Sequence, residues 1–125
     1  MNTYESAENY LETILILQNR LGNVRSIDIV NELAFTRPSV SVAMKKLRES
    51  GQIGMDKDGL ITLTESGLKI ATRMLERHTL ITSFLISLGV DEKTAAQDAC
   101  RIEHVISEQS YEKILDFVLK SAKEN

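Results

Sequence analysis

The feature that most constrains the fold is a dipeptide, Asp58–Gly59, set between two short β-prone runs in a chain otherwise patterned for helix. Asp-Gly between two such runs reads as a hairpin turn. The flanking runs are Gln52–Met55 and Leu60–Leu63, joined through Asp56–Lys57–Asp58–Gly59. One proline, no tryptophan and six glycines leave the rest to helices.

Three helices precede the hairpin. Tyr10, Ile14, Leu17 and Leu21 recur at helical spacing within Tyr4–Leu21, and Gly22 ends that segment. Val24–Arg25 is a short extended link. Ser26 is placed to cap a second helix that buries Ile27, Val30 and Leu33. Ala34–Phe35–Thr36 makes a tight connection. Thr36 and Pro38 open a third helix, which runs to Ser50, stops at Gly51 and turns Val40, Met44 and Leu47 inward. After the hairpin, Thr64 caps a long helix to Leu88 that Gly89 terminates. Asp91 caps a fifth helix to about Ser107, and a sixth covers Glu108–Ala122.

This order predicts a mainly α chain: a winged helix-turn-helix domain over 1–66 and an all-helical dimerisation domain over 67–125. The long fourth helix carries two apolar sets. One is Ile70, Met74, Ile81, Phe84 and Leu88; the other is Leu68, Ala71, Leu75 and Leu85. A helix apolar on two sides is buried on two sides. A chain of 125 residues covers one of them, and a two-fold homodimer is the simplest cover for the other.

Composition excludes several classes. A net charge of −3 gives no global case for nucleic acid. A single cysteine excludes an intramolecular disulfide and suits a reducing cytoplasm. No apolar run approaches the ~18 residues of a membrane span. The polar, acidic Met1–Glu8 segment does not read as a signal peptide.

Locally the charge reverses. Leu33 to Arg48 holds four cations, Arg37, Lys45, Lys46 and Arg48, and no acid. In a winged helix the third helix enters the major groove by its N-terminal half. Thr36, Arg37, Pro38, Ser39, Ser41, Lys45 and Lys46 are therefore candidates for DNA contact, with Lys57 at the hairpin tip. Cations release phosphate counterions, and short hydroxyls permit close approach. A solvated helix face balanced by Glu32 and Glu49 is the plainer alternative.

A second constellation is Cys100, Glu103 and His104. Spacings of i,i+3 and i,i+4 put all three on one side of a helix. Thiolate, carboxylate and imidazole are ligand types for a divalent transition ion, and three ligands leave coordination positions open. Glu8, Asn9 and Glu12 are polar residues on an otherwise apolar first helix, and His78 lies mid-way along the fourth. Spacing does not bring residues 9, 12 and 78 to 100–104. A small buried cysteine, a surface Glu–His pair and a core histidine remain the plainer readings.

The chain resembles the diphtheria toxin repressor and manganese transport regulator family of metal-dependent repressors. The resemblance rests on Ala7–Ile14 (AENYLETI), Arg37–Ser41 (RPSVS) with Lys46–Leu47, Gly59–Thr64 (GLITLT) with Gly67, and most specifically Asp98–Ser107 (DACRIEHVIS). It covers essentially the whole chain, in the short form without a C-terminal SH3-like domain. It implies a homodimer that binds a pseudo-palindromic operator in double-stranded DNA when a divalent metal is bound, and no catalytic residues. It also implies metal ligands at Cys100, Glu103 and His104, with Glu12 and His78 at positions used in parts of the family. Cys100 stands where iron-type members have cysteine and manganese-type members a carboxylate, so Fe(II) is expected before Mn(II). Asn9 replaces a methionine or aspartate, and Thr82 and Ala96 replace the ligands of a second site, which leaves one site per subunit.

The expected function is a metal-dependent transcriptional regulator repressing metal-uptake genes. A winged-helix regulator that has lost metal control is the alternative, favoured by Asn9. A protein-interaction module is the alternative from another class. A metalloenzyme is disfavoured, because no phosphate loop or acid–base carboxylate pair accompanies the cluster.

Overall fold

The computed structural model describes residues 3–124. The elements run α1 (Thr3–Leu21), α2 (Ser26–Leu33), α3 (Arg37–Glu49), β1 (Ile53–Met55), β2 (Ile61–Leu63), α4 (Glu65–Ser87), α5 (Glu92–Val105) and α6 (Glu108–Glu124). They form two compact units, Met1–Arg73 and Met74–Asn125. The sequence put the domain boundary at 66/67; the first turns of α4 pack with the N-terminal unit, where Ala71 is fully buried in the core.

The N-terminal unit is a winged helix. Leu11, Ile14 and Leu17 of α1, Ile29 of α2, and Val40 and Met44 of α3 form one core with Val24, Ile53 and Ile61. Strands β1 and β2 pair antiparallel with Gly54 opposite Thr62. The Ile61 amide also donates to the Val24 carbonyl at 2.8 Å, so the extended link after α1 joins the hairpin edge.

Local chemistry sets the helix starts. The Ser39 amide donates to Thr36 Oγ1 at 3.3 Å at the start of α3, and the Gly67 amide to Thr64 Oγ1 at 3.2 Å at the start of α4. Both match the caps expected. The start of α2 does not. Arg25, not Ser26, is its N-cap residue, and Asp28 in the first turn reaches back to accept from the Arg25 amide at 2.9 Å. A carboxylate in the first turn satisfies the orphan amide that no arginine side chain could. The buried face of α2 also differs from expectation. Ile29 is 0% exposed and Ile27 38%, while Val30 and Leu33 are half-buried.

The wing tip is closed by its own side chains. Asp56 Oδ1 accepts from the amides of Asp58 (2.8 Å) and Leu60 (2.9 Å). Gly59 takes φ +80°, as the turn requires. Arg25 Nε donates to the Asp58 carbonyl at 3.3 Å, fastening the tip to the start of α2.

The C-terminal unit comprises the remainder of α4 with α5 and α6. Met74, Ile81, Ala95 and Ala99 are its buried apolar side chains. Asp91 caps α5, accepting from the Thr94 amide at 3.1 Å. The Thr94 hydroxyl and then its amide hold the Asp91 carboxyl below the usual carboxylate range. This cap is thus fully effective above that ordinary range and is lost as pH falls through the lowered pKa. Phe84 and Phe117 meet edge-to-face at 6.0 Å, and Phe117 (58%) and Leu88 (64%) remain exposed in the single chain. An apolar face of this kind is what a dimer covers.

Candidate metal centre and nucleic-acid interface

Helix α3 is two-sided. Val40, Met44 and Leu47 face the core, and Arg37, Lys45, Lys46 and Arg48 are exposed. Thr36, Pro38, Ser39 and Ser41 are exposed at its N-terminal end, the end that enters the major groove in helix-turn-helix proteins. Thr36 Oγ1 donates to Ser39 Oγ at 2.8 Å while accepting from the Ser39 amide, so the cap is ordered before any ligand arrives. Lys57 is exposed at the wing tip.

The candidate ligands divide between the units. In the N-terminal unit Asn9 and Glu12 are both buried on α1, one helical turn apart. In the C-terminal unit α4 and α5 bring His78, Glu103 and His104 together. The Glu103 side chain is 0% exposed, with His78 Nδ1 at 2.9 Å and His104 Nε2 at 3.3 Å from its two oxygens. The His104 side chain is likewise buried. The Glu103 Oε2–His78 Nδ1 contact is met by the Nδ1–H tautomer of His78, in which Nε2 carries that ring's lone pair. Cys100 lies one turn before Glu103 and is half-buried. Burying a carboxylate is costly unless it is matched by cationic or polar partners. A buried oxygen donor flanked by two imidazoles, with a thiol one turn away, fits a divalent transition ion.

Arg77 is not among the candidate residues named from the sequence. Its guanidinium is buried in the C-terminal unit, bonded to two carbonyls near the end of α5 and to Glu108. The signal was present: residue 77 is i+3 from Met74 and i−4 from Ile81, a cation in the apolar phase of α4. Arg25, which holds the wing, was also missed.

A winged helix presenting a cationic recognition helix, joined to a helical unit holding a buried Glu–His cluster, defines a metal-responsive DNA-binding regulator. Residues 2–61 match the N-terminal DNA-binding domain of the iron-dependent repressors, and residues 64–123 match their metal-binding and dimerisation domain. The chain belongs to the iron-dependent repressor family. It is 34% identical over 118 residues to an HTH-type transcriptional regulator of Methanocaldococcus jannaschii, covering 93% of this chain and 94% of that one. It is 36% identical over 116 residues to the transcriptional regulator MntR of Bacillus subtilis, covering 93% and 82%. Its fold superposes on the manganese regulator SloR with a TM-score of 0.80 at 27% identity, covering 90% of this chain. The chain spans about half the length of that solved structure, 53%. These relatives are regulators, not enzymes, and the family's operator binding as a dimer goes with the two matched domains. Among the described residues no helix is long and apolar enough to cross a membrane.

Proposed function

We propose that the chain represses metal-uptake genes in the cytoplasm when Cys100, Glu103, His104 and His78 hold one divalent ion per subunit, with Glu12 and Asn9 supplying further donors. DNA reading is assigned to residues 1–66, through Thr36, Arg37, Pro38, Ser39, Ser41, Lys45, Lys46 and Lys57, and metal binding to 67–125. The observation that carries the reading is Glu103, a fully buried carboxylate with an imidazole nitrogen at 2.9 Å and another at 3.3 Å. Where the ion is held only in conformers that also fit the operator, metal and DNA binding are linked.

Fe(II) is the proposed ion, because the Cys100 thiolate is a soft donor. Mn(II) is the second reading, supported by the manganese regulators among the relatives. The test is operator anisotropy at fixed salt, anaerobically, with Fe(II), Mn(II) or a chelator. A coupling of about 1–3 kcal/mol makes DNA binding roughly 5–150-fold tighter with the effective ion. Equal affinity in chelator overturns the metal reading and leaves a regulator that has lost metal control, as the neutral Asn9 amide would favour.

Salt dependence tests the DNA face separately. Lys45→Ala and Lys46→Ala each reduce the slope of log K against log salt by about 0.9, for operator and unrelated DNA alike. An unchanged slope in both removes these lysines from the interface.

A further inference from the structure

Arg77 is the most unusual buried group that the metal and DNA readings leave unused. It is a permanent cation, its side chain only 5% exposed, on the inner face of α4. Such a group is costly to bury unless the site matches its donors.

Its contacts all go to one place, the elbow where α5 ends and α6 begins. One terminal nitrogen donates to the Glu103 carbonyl at 3.2 Å and to the Ile106 carbonyl at 3.1 Å. The other donates to Glu108 Oε2 at 2.6 Å, in the first turn of α6. The guanidinium carbon lies 5.0 Å from the centre of the Tyr111 ring, also on α6. The Glu103 carbonyl is among the last four of α5, which have no partner within their helix. A cation there also complements the negative end of the helix dipole. The same residue whose carbonyl Arg77 grips sends its side chain to both histidines. Arg77 is itself the chain neighbour of His78, so the rigid α4 backbone ties this grip to one of those imidazoles.

We infer that Arg77 is a positioning residue for the metal centre, a clamp that fixes the C-terminal turn of α5 and thereby the placement of Glu103 and His104 relative to His78. This rests on the metal reading proposed above. The fork geometry is required: a lysine ammonium is a single point and cannot span two carbonyls, a carboxylate and a ring face together. Outer groups that orient ligands typically change metal affinity 10–100-fold when removed.

The test uses Co(II) as the probe ion on the full chain, with wild type, Arg77→Met, Arg77→Lys and Glu108→Gln. The readouts are affinity by chelator competition, the thiolate-to-Co(II) absorption band, and dimer state by sedimentation. Arg77→Met is expected to weaken Co(II) binding at least 10-fold and to alter the band at saturating metal, with the dimer retained. Arg77→Lys is expected to fall between, and Glu108→Gln, at an exposed outer contact, to change affinity less than 3-fold. A role confined to stability lowers the melting temperature but leaves the saturated spectrum unmoved, which overturns the inference. If Arg77→Met does not fold, Arg77→Lys decides: wild-type affinity and spectrum overturn the inference, and a weakened, altered site supports it. A wild-type chain that binds no Co(II) fails the metal reading and this inference together, whereas wild-type binding with unchanged variants fails this inference alone.

Discussion

Replacing His104 by alanine abolishes the gain in operator affinity that metal confers, while metal-free, salt-sensitive binding persists. The gain to be lost is roughly 5–150-fold. His104 is buried against Glu103, so removing the imidazole deletes a nitrogen donor from the densest part of the cluster. The cationic face of α3 is in the other unit and is untouched by the substitution. Cys100→Ala is the companion variant and is expected to change the order of preference among ions, since the soft donor goes. Anisotropy titrations with and without metal, alongside melting curves of the metal-free proteins, separate loss of response from loss of fold. An undiminished metal response in both variants would refute the ligand assignment.

Gly67→Ala has the largest effect expected on the fold. A Cβ at residue 67 would sit 2.0 Å from the Gln52 carbonyl oxygen and 3.0 Å from its carbon. Those are backbone atoms at the entry to the wing, and they are held there. The Thr64 amide donates to the Gln52 carbonyl at 3.1 Å, and Thr64 Oγ1 donates to the Gly51 carbonyl at 2.7 Å. No side-chain rotation relieves the clash, so the helix start and the strand must part. Overpacking typically costs about 1–3 kcal/mol, and backbone against backbone belongs at or beyond the upper end. The melting temperature should fall by on the order of 10 °C. Ser66→Ala, at an exposed neighbouring position, is the control and should change little. Coincident melting of the two variants would show that α4 does not depend on this close approach.

What the sequence made legible was whatever a side chain decides within four residues of itself. Thr36, Thr64 and Asp91 each meet an amide three positions on, and Asp58–Gly59 turns a hairpin of three-residue strands. By the same local rule the i,i+3,i+4 spacing puts Cys100, Glu103 and His104 on adjacent turns of α5. Helix α2 was misread because its eight residues include Ile27, Ile29, Val30 and Leu33, and two helical phases fit four apolar side chains. Only packing against α1 and α3 selects Ile29. The 2.9 Å pairing of His78 with Glu103 was out of reach, since it closes over 25 residues of chain. Arg77 was in reach by its phase and was passed over, because charged side chains on helices are ordinarily solvated.

The wing tip carries a thermodynamic consequence for DNA binding. Asp56 takes up the Asp58 and Leu60 amides, the Gly59 amide bonds the Asp56 carbonyl, and Arg25 holds the Asp58 carbonyl. The loop has already given up its backbone entropy during folding, at about 1–2 kcal/mol per residue. Under the DNA contact proposed for Lys57, docking against a phosphate strand asks for little more than the ordering of that side chain. The heat-capacity change on operator binding should track the surface removed from water, without the larger, more negative signature of a segment that folds as it binds.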